Sequence, residues 1–163
     1  MVSTATPLHK ASALGLNQDG LTPLHLASLM GNLEVLKELI CLGKDLSSQG
    51  YIWETPLHCA AMMGKLEAME ELLGACPESA MSVTARDETP LHVAVIHNQF
   101  QAFKLLVEWV EKRDKLELIN RKDYGGNTVL HLATSRRQYQ ACSMTCILSI
   151  LVGDTEGINF QNC

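Results

Sequence analysis

Thr22-Pro23-Leu24-His25-Leu26-Ala27 returns as Thr55-Pro56-Leu57-His58-Cys59-Ala60 and again as Thr89-Pro90-Leu91-His92-Val93-Ala94. The quartet Thr-x-Leu-His occurs five times in all, starting at Thr6, Thr22, Thr55, Thr89 and Thr128, at intervals of 16, 33, 34 and 39 residues. Two successive periods near 33 mark a chain made of one small unit stacked on its own copies.

The chemistry of the quartet says what each unit is. A Thr followed by Pro suits a helix N-cap and first helical position, because the hydroxyl can accept from an unpaired backbone N–H and Pro has no N–H to leave unpaired. Nine residues after the first four threonines stand Gly15, Gly31, Gly64 and Asn98, the two residue types that best tolerate the left-handed conformation ending a helix. A short helix of about two turns is therefore expected after each motif. Beyond the later three stops a second apolar periodicity appears: Leu33, Val35, Leu36, Leu39, Ile40; then Leu66, Met69, Leu72, Leu73; then Phe100, Phe103, Leu105, Leu106, Val107. Each unit reads as a helix pair, with pairs expected near 23–42, 56–74, 90–112 and 129–151. The links are polar and rich in turn residues, as in Gln18-Asp19-Gly20 and Asp123-Tyr124-Gly125-Gly126-Asn127.

Period and motif together resemble the ankyrin repeat over nearly the whole chain. The resemblance implies an all-α solenoid of about four helix pairs with short β-hairpin fingers and incomplete first and last repeats. In residue terms it implies a partial repeat over 1–16, repeats over about 17–49, 50–83, 84–122 and 123–157, and the start of a further finger at 158–163. It also gives the motif pairs Thr22 and His25, Thr55 and His58, Thr89 and His92, and Thr128 and His131 a structural role, the histidine bonding the cap and the neighbouring finger. Thr89 to Glu108 and Gly126 to Thr134 are similar to the plant ankyrin proteins that carry a C-terminal PGG membrane domain. Such proteins act in defence and stress signalling, often membrane-anchored with the array in the cytosol. The spanning part is absent from these residues.

In the ankyrin architecture the concave face is lined by the fingertips and by the two residues before each helix-ending Gly. Here those pairs are Leu29-Met30, Met62-Met63 and Ile96-His97, an apolar, methionine-rich stripe where polar side chains are usual. Flexible, polarizable Met suits a surface that accepts an apolar protein segment, whereas the alternative is that these side chains fold back between the first helices. The third finger adds Tyr51 and Trp53, aromatic anchors beside Met62 and Met63. Trp53 stands where the second and fifth fingers have Gly20 and Gly126, so this finger must turn differently.

Other functions find little footing. A formal charge of −5 offers nucleic acid no general attraction, and no small-molecule or cofactor motif is present. Charge is uneven: residues 1–100 hold 11 acids and 5 bases, and 101–163 hold 7 acids and 8 bases, with a basic run at Lys112, Arg113, Lys115, Arg121 and Lys122 that reads as a solvated extension. Six cysteines without a Cys-x-x-Cys pair, and no secretory signal at Met1-Val2-Ser3, point to reduced thiols and a cytoplasmic location. Cys142 and Cys146 share a helix face near His131, but structural zinc wants four ligands at tighter paired spacings, so no metal is assigned. The histidines recur without a recurring Ser, Cys or Asp beside them, so no catalytic residues are assigned and no enzyme is expected. The apolar stretch Ala141 to Val152 is interrupted by Ser143, Thr145 and Ser149 and is well short of the roughly 20 residues of a membrane span.

The ends are irregular. Thr6 to Gly15 supplies a first helix without its partner and should be weakly held, and Gly157-Ile158-Asn159 resembles the lead into a finger that is not completed. The expected whole is a protein-interaction scaffold or adaptor, with a portion of a longer membrane-anchored signalling protein, or a shortened gene model, as the other reading.

Overall fold

Every motif threonine from Thr22 onward has extended backbone, φ between −78° and −84°, and the residue after it is helical. A computed structural model describes residues 15–42 and 54–152. Among the described residues are eight α-helices: α1 Pro23–Met30, α2 Leu33–Leu42, α3 Pro56–Met63, α4 Leu66–Ala75, α5 Pro90–Ile96, α6 Phe100–Lys112, α7 Val129–Ser135 and α8 Tyr139–Val152. The helix at Thr6, the fingertip residues Tyr51 and Trp53, and the incomplete finger at 158–163 lie outside the described residues.

The first helix of each pair ends the same way four times. Nine residues after each motif threonine the chain enters the left-handed region, at Gly31 (φ 70°), Gly64 (φ 65°), Asn98 (φ 56°) and Arg137 (φ 56°). The next residue's N–H reaches back to an alanine carbonyl in all four units: Asn32 to Ala27 at 3.0 Å, Lys65 to Ala60 at 2.9 Å, Gln99 to Ala94 at 2.8 Å and Gln138 to Ala133 at 2.9 Å. That long back-bond satisfies a helix carbonyl that would otherwise be orphaned. The same residue's carbonyl then starts the second helix.

Inner helices α1, α3, α5 and α7 pack in that order, and outer helices α2, α4, α6 and α8 form a second layer in the same order. Leu24, Leu57, Leu91 and Leu130 of the motif are buried, as are Ala27, Ala60, Ala94 and Ala133 where inner helices meet. Alanine at the crossing allows close approach, and each buried leucine contributes roughly 1.5–3 kcal/mol. Leu36, Met69, Phe103 and Cys142 face inward from the second layer. Each unit thus buries its faces against the units beside it, as a solenoid does.

Between outer helix and next motif the chain makes a short 3-10 turn, Pro77–Met81 and Leu116–Leu118, then a finger. Fingers 17–21, 84–88 and 123–127 are single tight turns, and the described residues include no strand. In each, one side chain closes the loop: the Asn17 carbonyl oxygen accepts from the N–H of Asp19 and Leu21, the Thr84 hydroxyl from Arg86 and Glu88, and the Asp123 carboxylate from Asn127. The longer last interval is absorbed mostly by α6, which has 13 residues against 10 in α4. Its basic end is exposed, with Arg113 over the Trp109 ring at 4.8 Å and Lys115 3.8 Å from Glu117.

Candidate interaction surface

Five motif histidines invite a catalytic reading until their bonds are traced. In each described unit the Thr hydroxyl lies 2.7–2.9 Å from Nδ1 of the histidine three residues on, and the Thr backbone N–H donates to the same nitrogen. With two donors converging there Nδ1 must be the acceptor, so Nε2 carries the proton and is a donor. Nε2 of His25, His58 and His92 donates to the carbonyls of Glu54, Glu88 and Asn127, at 2.8, 3.2 and 3.3 Å. Those carbonyls belong to the residue just before the next motif threonine. Each imidazole therefore joins its own cap to the next unit's finger.

Burial holds these imidazoles neutral. It pushes His58 down to about 4, against the opposing pull of its carbonyl bonds, and lowers His25 and His92 in the same way. An imidazolium here would also aim an N–H at the Thr N–H. With both nitrogens engaged, none of His25, His58 and His92 is placed to take a proton from a substrate. The Cys59 thiol is pushed up to about 12, by burial and then by the Glu54 charge, and so is unreactive. Among the described residues no group of three or more His, Cys, Asp or Glu is placed to hold a metal ion.

The ends of the inner helices offer something different. Met30 is 77 % exposed and Met63 49 %, and His97 also stands in solvent. Leu29, Met62 and Ile96, one residue earlier, are half-buried. One side chain of each pair thus projects and the other braces it. Because the inner helices stack in order, these pairs form one ridge along the array. Between them lie the turns' next residues: a Cβ on Gly31 would fall 2.9 Å from the Lys65 side chain, and one on Gly64 would fall 2.5 Å from that of Gln99.

The fourth unit completes the ridge with residues the sequence reading passed over. Counting the same offset from Thr128 gives Ser135 and Arg136, both exposed, and Arg137 in the left-handed turn. Arg136 Nη1 donates to the Ile96 carbonyl at 2.9 Å and Gln138 Nε2 to that of Val95 at 2.8 Å, which fixes this turn against the one before it. The absence of Gly or Asn there hid it; the constant spacing would have found it. Asp87, at φ 57°, likewise fills the finger position held by Gly20 and Gly126 in the second and fifth fingers.

Capped short helices, paired outer helices and an open ridge define a helix-pair repeat solenoid. Residues 57–146 match the family described as ankyrin repeats (3 copies), and residues 24–73 match ankyrin repeats (many copies). The chain belongs to the ankyrin-repeat family. No curated protein matches it. Ankyrin repeats are characteristically non-catalytic protein-interaction modules, and no described feature points to a reaction.

Proposed function

We propose that this chain is a non-catalytic scaffold or adaptor, working in the cytoplasm, that holds a protein partner along the ridge of Leu29, Met30, Met62, Met63, Ile96 and His97. The observation that carries the reading is the exposure of Met30 and Met63 at equivalent positions, where an isolated monomer gains nothing from methionine. Tyr51 and Trp53 are added from the sequence as anchors on the adjoining finger. The repeats are taken as about 17–49, 50–83, 84–122 and 123–157. The similarity of Thr89 to Glu108 to the plant PGG group supports a second reading, the ankyrin portion of a membrane-anchored defence-signalling protein. No described helix is long and apolar enough to cross a membrane, so such an anchor would lie outside the described residues.

A photo-crosslinking residue at position 63 tests the scaffold. It should capture a discrete protein from an extract of the source cells, and a Met30→Gln change in the same chain should abolish that adduct while Lys37→Gln on the outer layer leaves it. An adduct indifferent to Met30, or none, would sink the reading.

A further inference from the structure

The four turns that end the inner helices read Leu29-Met30-Gly31-Asn32, Met62-Met63-Gly64-Lys65, Ile96-His97-Asn98-Gln99 and Ser135-Arg136-Arg137-Gln138. In a chain of net charge −5, these turns contain three bases and no acid. The bases are not spread evenly: the first turn is apolar and uncharged, whereas the last carries two arginines and no large apolar side chain.

Nor are these charges answered by an ion pair among the described residues. The ion pairs of the described residues are Lys37 with Glu71, Lys104 with Glu108 and Lys115 with Glu117, none of them on the ridge. Arg136 gives one hydrogen bond, to the Ile96 carbonyl, and an arginine has five N–H donors. A base near a helix C-terminus is favoured by the helix dipole, which would account for one of the two arginines at α7. It does not account for Arg137, a residue that occupies a left-handed conformation where Gly or Asn would be less strained.

Taking the scaffold reading as its basis, we propose that the ridge binds an acidic amphipathic helix, its apolar face over Met30 and Met63 and its carboxylates clustered toward Arg136 and Arg137. From the first turn to the last the ridge crosses three inner-helix spacings of about 8–10 Å, so a helix of about 18 residues covers it. Arg136 and Arg137 then meet carboxylates in the paired geometry that guanidinium favours, whereas the single charge of Lys65, whose stem crosses Gly31, stands beside the first turn. The apolar end gives affinity, and the cationic end sets direction and rejects basic helices.

The test is selection of a displayed random library of peptides of about 18 residues on the full chain. Enriched sequences should carry apolar residues at helical spacing with Asp and Glu concentrated toward one end, and a synthesised winner should bind at least ten times more weakly to Arg136→Glu/Arg137→Glu. The Arg136→Lys/Arg137→Lys chain should retain most of that affinity, and a thermal melt of each variant confirms that it is folded. Enriched peptides that are apolar but neutral or basic would overturn the acidic partner while leaving the scaffold reading standing. Acidic winners indifferent to the charge reversal would also overturn it. Failure to enrich any peptide whose binding depends on Met30 and Met63 would end both.

Discussion

At His58 an imidazole, a threonine and a carbonyl from the following unit share one dry site. Replacing it by leucine would leave the Thr55 N–H and the Glu88 carbonyl without their partner, and buried polar groups left unpaired cost about 1–3 kcal/mol each. His58→Leu should therefore lower the urea midpoint by an amount equivalent to roughly 2–4 kcal/mol. The same site sets a pH dependence. Since the folded-state value, about 4, lies below the unfolded value near 6.5, the unfolded chain binds the proton first. Stability is complete above about pH 6.5 and is lost as pH falls through about 4, worth about 3 kcal/mol from His58 alone. His25 and His92 are displaced in the same direction and steepen the loss. An acid titration of wild type against His58→Leu checks this, because the variant should lose less stability over that range. The turn residues give a paired prediction. Gly64 has φ 65° and Gln99 lies over it, so Gly64→Ala should cost about 1–2 kcal/mol, while Arg137→Gly relieves a non-glycine residue at φ 56° and should raise the melting temperature by a few degrees.

The fingers show how much of an element a sequence can convey. Helix starts were legible because Thr, Pro and His at fixed offsets perform separate physical tasks, and the observed helices begin at Pro23, Pro56, Pro90 and Val129 as the motif requires. The finger's form was not legible. Polar turn residues serve a hairpin and a single closed turn equally well, and the choice depends on whether a neighbouring strand is there to pair with. What the sequence did contain, without advertising it, was an Asn, Thr or Asp five residues before each of three motif threonines, at Asn17, Thr84 and Asp123. Burial pushes the Asp123 carboxyl up, but bonds from the Asn127 backbone and side chain, together with His92 and Gly125, outweigh it and hold it below the usual range. Asp123→Ala should therefore open the turn: about 1 kcal/mol of stability is lost, and the amide of Asn127 exchanges faster by hydrogen-exchange mass spectrometry. Unchanged exchange there would show that the backbone bonds alone hold the finger. The ridge was half legible. Equivalent offsets picked out its positions, yet no periodicity could say that the first of each pair is half-buried and the second projects, because that depends on how the neighbouring units pack.

Across the whole molecule, order along the chain and order in space coincide, since each helix pair packs against the pairs beside it in sequence. That is why a single motif carries so much of the architecture, and why it is silent about partners: the repeated residues are spent on stacking, and recognition is left to the residues that differ between copies. The histidine bonds add a sense of direction, because three imidazoles donate forward, from His25 to Glu54, from His58 to Glu88 and from His92 to Asn127. A tether pulled at its two ends would load these cross-links in series, and no interface could shield another from the tension. Units should come away singly. Each release of a unit of 33 to 34 residues lengthens the chain by roughly 100 Å once the thickness of the lost unit is subtracted. In an optical trap at pH 7 the expected trace is a sawtooth of near-equal steps, whose rupture force falls as the pH is brought toward 4 and the imidazoles charge. A single rupture of the entire array at pH 7 would show that the interfaces yield together, and that the protein behaves under load as one body instead of a row of latches.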